Sequence, residues 1–364
     1  MDQKLHIFFF PFLAQGHMLP TLDMARVFSS RGVKSTMITT HQCIPMFEKS
    51  IQRKGKQSFT DISIRGIHFP AVEAGLPEGT ESVDQIKSEH LIPHFIMATA
   101  MLQDQLEQLL EECRPHCLIA DKFFPWATEA AAKFRIPRLF FDGMSFFANT
   151  AEEIMRVHRP FDYVSSDSEP FLVPDLPHEI KLTRAKIPSY ERDKETAGTE
   201  LGRFLQRVRD SDSKSYGRIV NSFYELEPEY VEYYTKILGR KAWHVGPFLL
   251  CNKEVEDKIG RGKNPTLMNT KQFLNEKLLA DVLKVGVAVG SREWSRVARE
   301  VKGEALAKAV ELVMVGEEAV KIRGRSKSLK DMARKAVEEG GSSYTDFDVL
   351  IKELKSYHSE RDQE

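Results

Sequence analysis

The chain has 364 residues, long enough for about two domains at roughly 150 residues each. A hydrophobic content of 41% supports packed cores, and a net charge of -1 excludes the basic footprint that binds nucleic acid or acidic membranes. No run approaches the roughly 20 apolar residues of a membrane span, no leader is visible, and Cys43, Cys113, Cys117 and Cys251 make no disulfide framework. A cytoplasmic protein acting on small molecules or on other proteins is therefore expected.

Leu5–Phe10 is a continuous apolar run, suited to a strand buried on both faces of a parallel sheet. A loop over Phe12–Leu19 follows, and Pro20 opens a helix with Leu22, Ala25 and Phe28 on one side, closed by Gly32. Val33–Thr39, rich in β-branched residues, is the next strand, completing a βαβ unit. Ile62–Ile64 and Ile67–Phe69 are two short strand candidates. Met97, Met101, Leu102, Leu106, Leu109 and Leu110 predict one amphipathic helix stopped by Pro115. Cys117–Ala120 is a strand ending in Asp121, and Pro125–Phe134 a helix. Arg138–Phe141 and Arg218–Asn221 are further strands, the latter leading into a helix around Glu227–Leu238. This alternation implies a doubly wound α/β domain over residues 1–250, with Val164–Pro188 a long surface loop.

The last third differs. Residues 251–271 are polar with Gly260, Gly262 and Pro265 and read as a linker. In 272–364 a single strand candidate, Val285–Val289, sits among helices at Phe273–Leu283, Val301–Val315, Glu317–Glu339 and Tyr344–Ser356. One parallel strand cannot satisfy its backbone alone. The second domain therefore lacks most of a sheet, and apolar surface around Val285–Val289 is left exposed.

His17 follows the first strand and Asp121 closes another, and open α/β sheets bind ligands outside the carboxyl ends of their strands. A histidine beside a carboxylate makes a general base. Spacing alone leaves the bland reading open: a solvated histidine, and an aspartate capping the following helix. Phe123, Phe124, Phe146 and Phe147 could line an apolar pocket or fill the core. His90 and His94, with Pro93 between them and no third ligand, read as a loop rather than a metal pair.

The motif Pro11-Phe12-Leu13-Ala14-Gln15-Gly16-His17-Met18-Leu19-Pro20 resembles the opening of plant secondary-product UDP-glycosyltransferases. Gly75-Leu76-Pro77-Glu78-Gly79, Ile119-Ala120-Asp121 with Pro125-Trp126-Ala127, Val220-Asn221-Ser222-Phe223-Tyr224-Glu225-Leu226-Glu227 and Trp243-His244-Val245-Gly246-Pro247 follow in the family's order. The branch most resembled acts on triterpenoid, flavonoid and coumarin-like acceptors. The resemblance implies a GT-B fold, with a complete N-terminal Rossmann-like domain that binds the acceptor. It implies His17 as the base that deprotonates an acceptor hydroxyl and Asp121 as its charge partner; Phe123, Phe124 and Phe146 remain acceptor-lining candidates on their aromatic character. It further implies a UDP-sugar as co-substrate, with glucose the sugar expected, inversion in one displacement, and neither metal nor other cofactor.

The same resemblance marks a loss. The family's donor signature, a contiguous C-terminal segment with a His-Cys-Gly-Trp-Asn-Ser core, has no counterpart here, because none of Trp126, Trp243 and Trp294 follows a Cys-Gly pair. The chain tracks the family to Gly262-Lys263 and resumes at Gln272, the signature's last position, leaving an incomplete, mostly helical C-terminal remnant. Gln272 is the one donor-binding candidate, and Lys271 stands where an acid is expected; an ammonium cannot accept hydrogen bonds from sugar hydroxyls. Weak or absent transfer is the expectation, and a non-catalytic product that retains acceptor binding is the alternative.

Overall fold

The computed structural model describes residues 4–52, 61–251, 272–289, 293 and 303–361. Among the described residues, nine strands form two sheets. The large one runs β1 (His6–Phe10), β2 (Lys34–Thr40), β3 (Ile62–Ile67), β4 (Cys117–Asp121), β5 (Arg138–Phe141), β8 (Gly217–Val220) and β9 (Ala242–His244), all parallel, in the spatial order β3-β2-β1-β4-β5-β8-β9. The small one is an antiparallel pair, β6 (Pro170–Leu172) with β7 (Lys181–Thr183). Helices α1 (Gln15–Ser30), α2 (Ile44–Gln52), α3 (Ile92–Ala100), α4 (Gln103–Cys113), α5 (Ala127–Lys133), α6 (Phe146–His158), α7 (Ser189–Arg192), α8 (Glu200–Lys214) and α9 (Pro228–Glu232) connect or cover the strands. After the linker come α10 (Gln272–Lys277), α11 (Gly303–Met314), α12 (Gly316–Val337) and α13 (Ser342–Arg361). No described helix is long and apolar enough to cross a membrane.

The apolar run of β1 explains why the sheet is covered on both sides. Phe8 and Phe10 enter one hydrophobic cluster with Phe95, Leu106, Leu118 and Phe124, while Ile7 and Phe9 enter the other with Leu22, Phe28, Ile119 and Trp243. Successive side chains of a strand point to opposite faces, so a strand with no polar alternation is the one that both layers can bury. Chain order reverses beside β1: β2 and β3 extend to one side, β4 and β5 to the other. The crevice of such a sheet opens at this reversal, above the carboxyl ends of β1 and β4.

Several expectations change on folding. The first helix begins at Gln15, not Pro20, so His17 lies in its first turn rather than in a loop. The cap is remote: the Gln15 amide donates to Asp84 Oδ2 at 2.7 Å, across 69 residues, and an acidic group there also suits the helix dipole. The two short strands read around residue 65 are one, β3, crossing Gly66; a Cβ at Gly66 would lie 2.7 Å from the His41 ring. The single helix expected over 97–110 is two, α3 and α4, broken at Met101–Leu102. The 164–188 segment carries the β6–β7 ribbon rather than being loop throughout. Val285–Val289 forms no strand, as expected of backbone without a neighbouring ladder to join.

The C-terminal elements attach unevenly. Leu274 and Leu278 pack with Phe146, Tyr230 and Tyr234, and Lys186 Nζ lies 4.9 Å from the centre of the Phe273 ring. From α13, assigned with the remnant on sequence, Phe347, Leu350 and Leu354 enter the core beside Phe28 and Trp243. Arg31 reinforces that contact, its guanidinium 3.5 Å from the centre of the Tyr344 ring and its Nη2 donating to Asp348 Oδ1 at 2.5 Å. The α11–α12 pair is more exposed, with Leu306, Val310 and Met314 facing solvent along α11. The residues 252–271, read as the linker, lie outside the described residues.

Candidate active site

The two residues that 104 positions separate meet at the sheet's reversal point. His17 Nδ1 lies 2.7 Å from Asp121 Oδ2. The other carboxylate oxygen, Oδ1, accepts from the Phe123 amide at 3.0 Å, so both oxygens of a side chain only 1% exposed are engaged. An ionised carboxylate can only accept hydrogen bonds. In the neutral ring Nδ1 therefore carries the proton and Nε2 presents a lone pair. The imidazole retains 16% exposure, enough to receive a ligand. Its orientation is held further by the Phe12 ring, edge-on at 5.5 Å, and the Phe123 ring at 5.8 Å.

Asp121 is fixed from behind by Arg138, which is buried under β4 and β5. Its Nη2 donates to the Asp121 carbonyl at 2.9 Å, and its Nη1 donates to Thr128 Oγ1 at 2.7 Å and Ser211 Oγ at 2.9 Å. Burial pushes this guanidinium down to about 10, offset in part by Asp212 and Asp121, so it stays charged at neutral pH. The end of β4 is thereby tied to α5 and α8.

Beside this pair opens a cleft of about 1380 Å³, counting the space continuous with solvent. Phe123 borders both, touching His17 on one side and the cleft on the other. Ile92 and Ile96 of α3, Phe140 of β5 and Leu201, Phe204, Leu205 and Val208 of α8 give it apolar walls. Its floor is polar. Arg218, almost wholly buried, donates to Asp142 Oδ2 at 2.9 Å, Asn149 Oδ1 at 3.0 Å and Asp212 Oδ2 at 2.7 Å. Burial alone would disfavour that charge, but Asp212, Tyr234 and Asp142 outweigh it and hold the guanidinium well above its ordinary value.

Of the three phenylalanine candidates, only Phe123 reaches the cleft. Phe124 has no exposed surface and stacks on Phe10 at 4.1 Å; Phe146 is equally buried, edge-on to Tyr234 at 5.6 Å. Both are core residues. The walls from α8 were missed, although Leu201, Leu205 and Val208 recur at helical spacing with Phe204 between them. Lys122 was missed as well. Gln272 is the first residue of α10. His90 and His94 have separate partners, Ser88 Oγ at 2.6 Å and the Ala74 carbonyl at 2.8 Å.

A parallel doubly wound sheet with a buried carboxylate orienting a histidine at its reversal point places the chain among α/β proteins of the GT-B glycosyltransferase class, and comparison with known proteins supports that fold. The structure superposes on UGT73P12 of Glycyrrhiza uralensis, crystallised with glycyrrhetinic acid 3-O-monoglucuronide, with a TM-score of 0.89 at 30% identity, covering 99% of this chain and 98% of that one. The sequence is 43% identical over 474 residues to the scopoletin glucosyltransferase of Nicotiana tabacum, covering 98% of this chain and 99% of that protein. It is 39% identical over 482 residues to the anthocyanin 3'-O-beta-glucosyltransferase of Gentiana triflora, at 98% and 99% coverage. No family model matches the chain. The chain belongs to the plant family 1 UDP-glycosyltransferases, within their 73-like group.

Proposed function

We propose that the chain binds a hydroxylated small molecule in the cleft beside His17, and that it has lost most of the site that would hold the UDP-sugar. The observation that carries the first half is the 2.7 Å bond from His17 Nδ1 to Asp121 Oδ2, with Phe123 lying between His17 and the cleft. It leaves Nε2 free to take the proton of an acceptor hydroxyl. Asp121 stabilises the imidazolium that forms, and a positioned base of this kind typically contributes about 10²–10⁴ in rate. In the family's reaction the deprotonated oxygen bonds to the anomeric carbon as the bond from that carbon to the UDP phosphate breaks. UDP leaves with the electron pair, and the configuration inverts. Glucose is the sugar named for several relatives, and flavonoid, coumarin-like or triterpenoid phenols and alcohols are the acceptors that this reading favours.

Two observations support the second half. The pairing with the tobacco relative runs over 474 residues against the 364 of this chain, so that relative has a segment with no counterpart here. Among the described residues beyond 271 there is no strand to build a second nucleotide-binding sheet. Positioning the anomeric carbon is most of what such an enzyme supplies, and an unbound diphosphate leaves without stabilisation. Transfer by this chain is therefore weak or absent, and acceptor binding is the function retained.

Separate calorimetric titrations of the full chain with 7-hydroxycoumarin and with UDP-glucose test the reading. Heat from the phenol and none from millimolar UDP-glucose is the expected result. Saturable UDP-glucose binding, with glucoside formation abolished by His17→Ala, overturns the loss of the donor site. Silence from a panel of hydroxylated flavonoids, coumarins and triterpenoids overturns the acceptor half.

A further inference from the structure

Lys122 directly follows Asp121 and projects from the end of β4 into the cleft. Its side chain is 15% exposed. The ammonium lies 5.2 Å from the centre of the Phe123 ring, which also neighbours the His17 imidazole at 5.8 Å, so base and cation share one phenyl group. The nearest carboxylate oxygen is Asp142 Oδ2 at 3.9 Å, beyond hydrogen-bond distance, and that oxygen already accepts from Arg218 at 2.9 Å. Asp142 Oδ1 accepts from the Met144 amide at 3.1 Å. Lys122 thus has a counter-charge but no hydrogen bond among the described residues, and it lines the cleft with three N–H donors to offer. The ammonium can donate to a ligand oxygen placed in the cleft, which none of the apolar walls can do.

We propose that Lys122 is a specificity-determining residue: it selects flat aromatic acceptors that carry a hydrogen-bond-accepting oxygen, such as a ring carbonyl, at the end opposite the hydroxyl presented to His17. The proposal rests on the cleft being the acceptor site. A planar skeleton suits the walls of Phe123, Phe140 and Phe204, and the charge of Lys122 makes the hydrogen bond to its oxygen stronger than one between neutral groups.

Calorimetry with two probes on the full chain tests this. 7-Hydroxycoumarin has a lactone carbonyl across the rings from its hydroxyl; 2-naphthol has the same two-ring shape and phenol but no carbonyl. The wild-type chain is expected to bind the coumarin about tenfold more tightly, the usual scale of one charge-assisted hydrogen bond. Lys122→Met should erase that preference by weakening the coumarin alone. Lys122→Gln keeps a donor at similar reach and should restore part of it, and it serves in its own right if the Met variant does not fold. Equal weakening of both probes, or no change in either, overturns the role of Lys122 while leaving the acceptor site intact. Failure of both probes to bind the wild-type chain removes the site itself, and the proposal with it.

Discussion

Shortening Leu350 to alanine should destabilise the sheet domain at the far end of the chain from where that domain begins. Leu350 has no exposed surface and sits in the cluster of Phe28, Ile119 and Trp243. Removing a buried leucine's methyl groups costs the lost transfer energy plus the cavity that remains, about 2–5 kcal/mol. The lower part of that range applies if α13 shifts inward to close the gap. With a urea dependence of about 3 kcal/mol/M for a chain of this size, the midpoint falls by about 1 M. Val349, next in sequence but 42% exposed, is the control, and Val349→Ala should change stability by less than about 0.5 kcal/mol. The assay is equilibrium unfolding followed at once by tryptophan emission, which reports on buried Trp243, and by far-ultraviolet circular dichroism. The reasoning is refuted if the fluorescence midpoint of Leu350→Ala matches the wild type while helical signal is lost separately. In that case α13 is an independent appendage, not part of the sheet's core.

Phe146→Ala should lower stability by about 3–5 kcal/mol, as for other buried phenylalanines, and leave acceptor affinity of the folded fraction unchanged. Phe123→Ala should weaken acceptor binding in calorimetry with a smaller loss of stability; the opposite pattern would reverse their roles. Burial, reinforced by Lys34, His116 and Arg65, lowers the pKa of His6 to about 4 from an ordinary 6.5. A base depressed in the folded state is neutral there while the unfolded chain takes up a proton, so its effect on stability is lost as pH falls from about 6.5 to 4. Unfolding free energies measured across that window should decline less steeply in His6→Gln than in wild type, and parallel curves would exclude His6 as a source of the acid sensitivity. Gly66→Ala should lower the thermal midpoint, because its Cβ meets His41 at 2.7 Å; an unchanged midpoint would mean that the His41 ring moves aside freely.

The legible parts of this chain are those whose signal is local. The all-apolar β1 announces a strand buried on two faces, and the alternation of such strands with helices leads to one parallel sheet. Gly32, with φ of 81°, ends α1 where a residue without Cβ is favoured. What stayed hidden depends on distant partners. The start of α1 is capped by Asp84, so a reading that looks for a local cap places it at Pro20 instead. The helix α13 has ordinary apolar periodicity, and nothing in it says that its partners are Phe28 and Trp243. The pairing of His17 with Asp121 was suggested by strand ends and by family resemblance, but contact required the sheet order. Phe124 and Phe146 could not be told from Phe123, since aromatic composition is the same for a wall and a core. Lys122 carried no signal until its lack of a hydrogen-bonded acceptor became visible in three dimensions.

The proposed chemistry depends on Asp121 holding the His17 imidazole with Nδ1 protonated and Nε2 available. Nitrogen-15 shifts of the His17 ring, recorded at a pH where the ring is neutral and assigned with His17→Gln, read that arrangement directly. A protonated Nδ1 and a lone-pair Nε2 are expected. A ring protonated mainly at Nε2 would contradict it, because the nitrogen meant to take the acceptor's proton would already carry one.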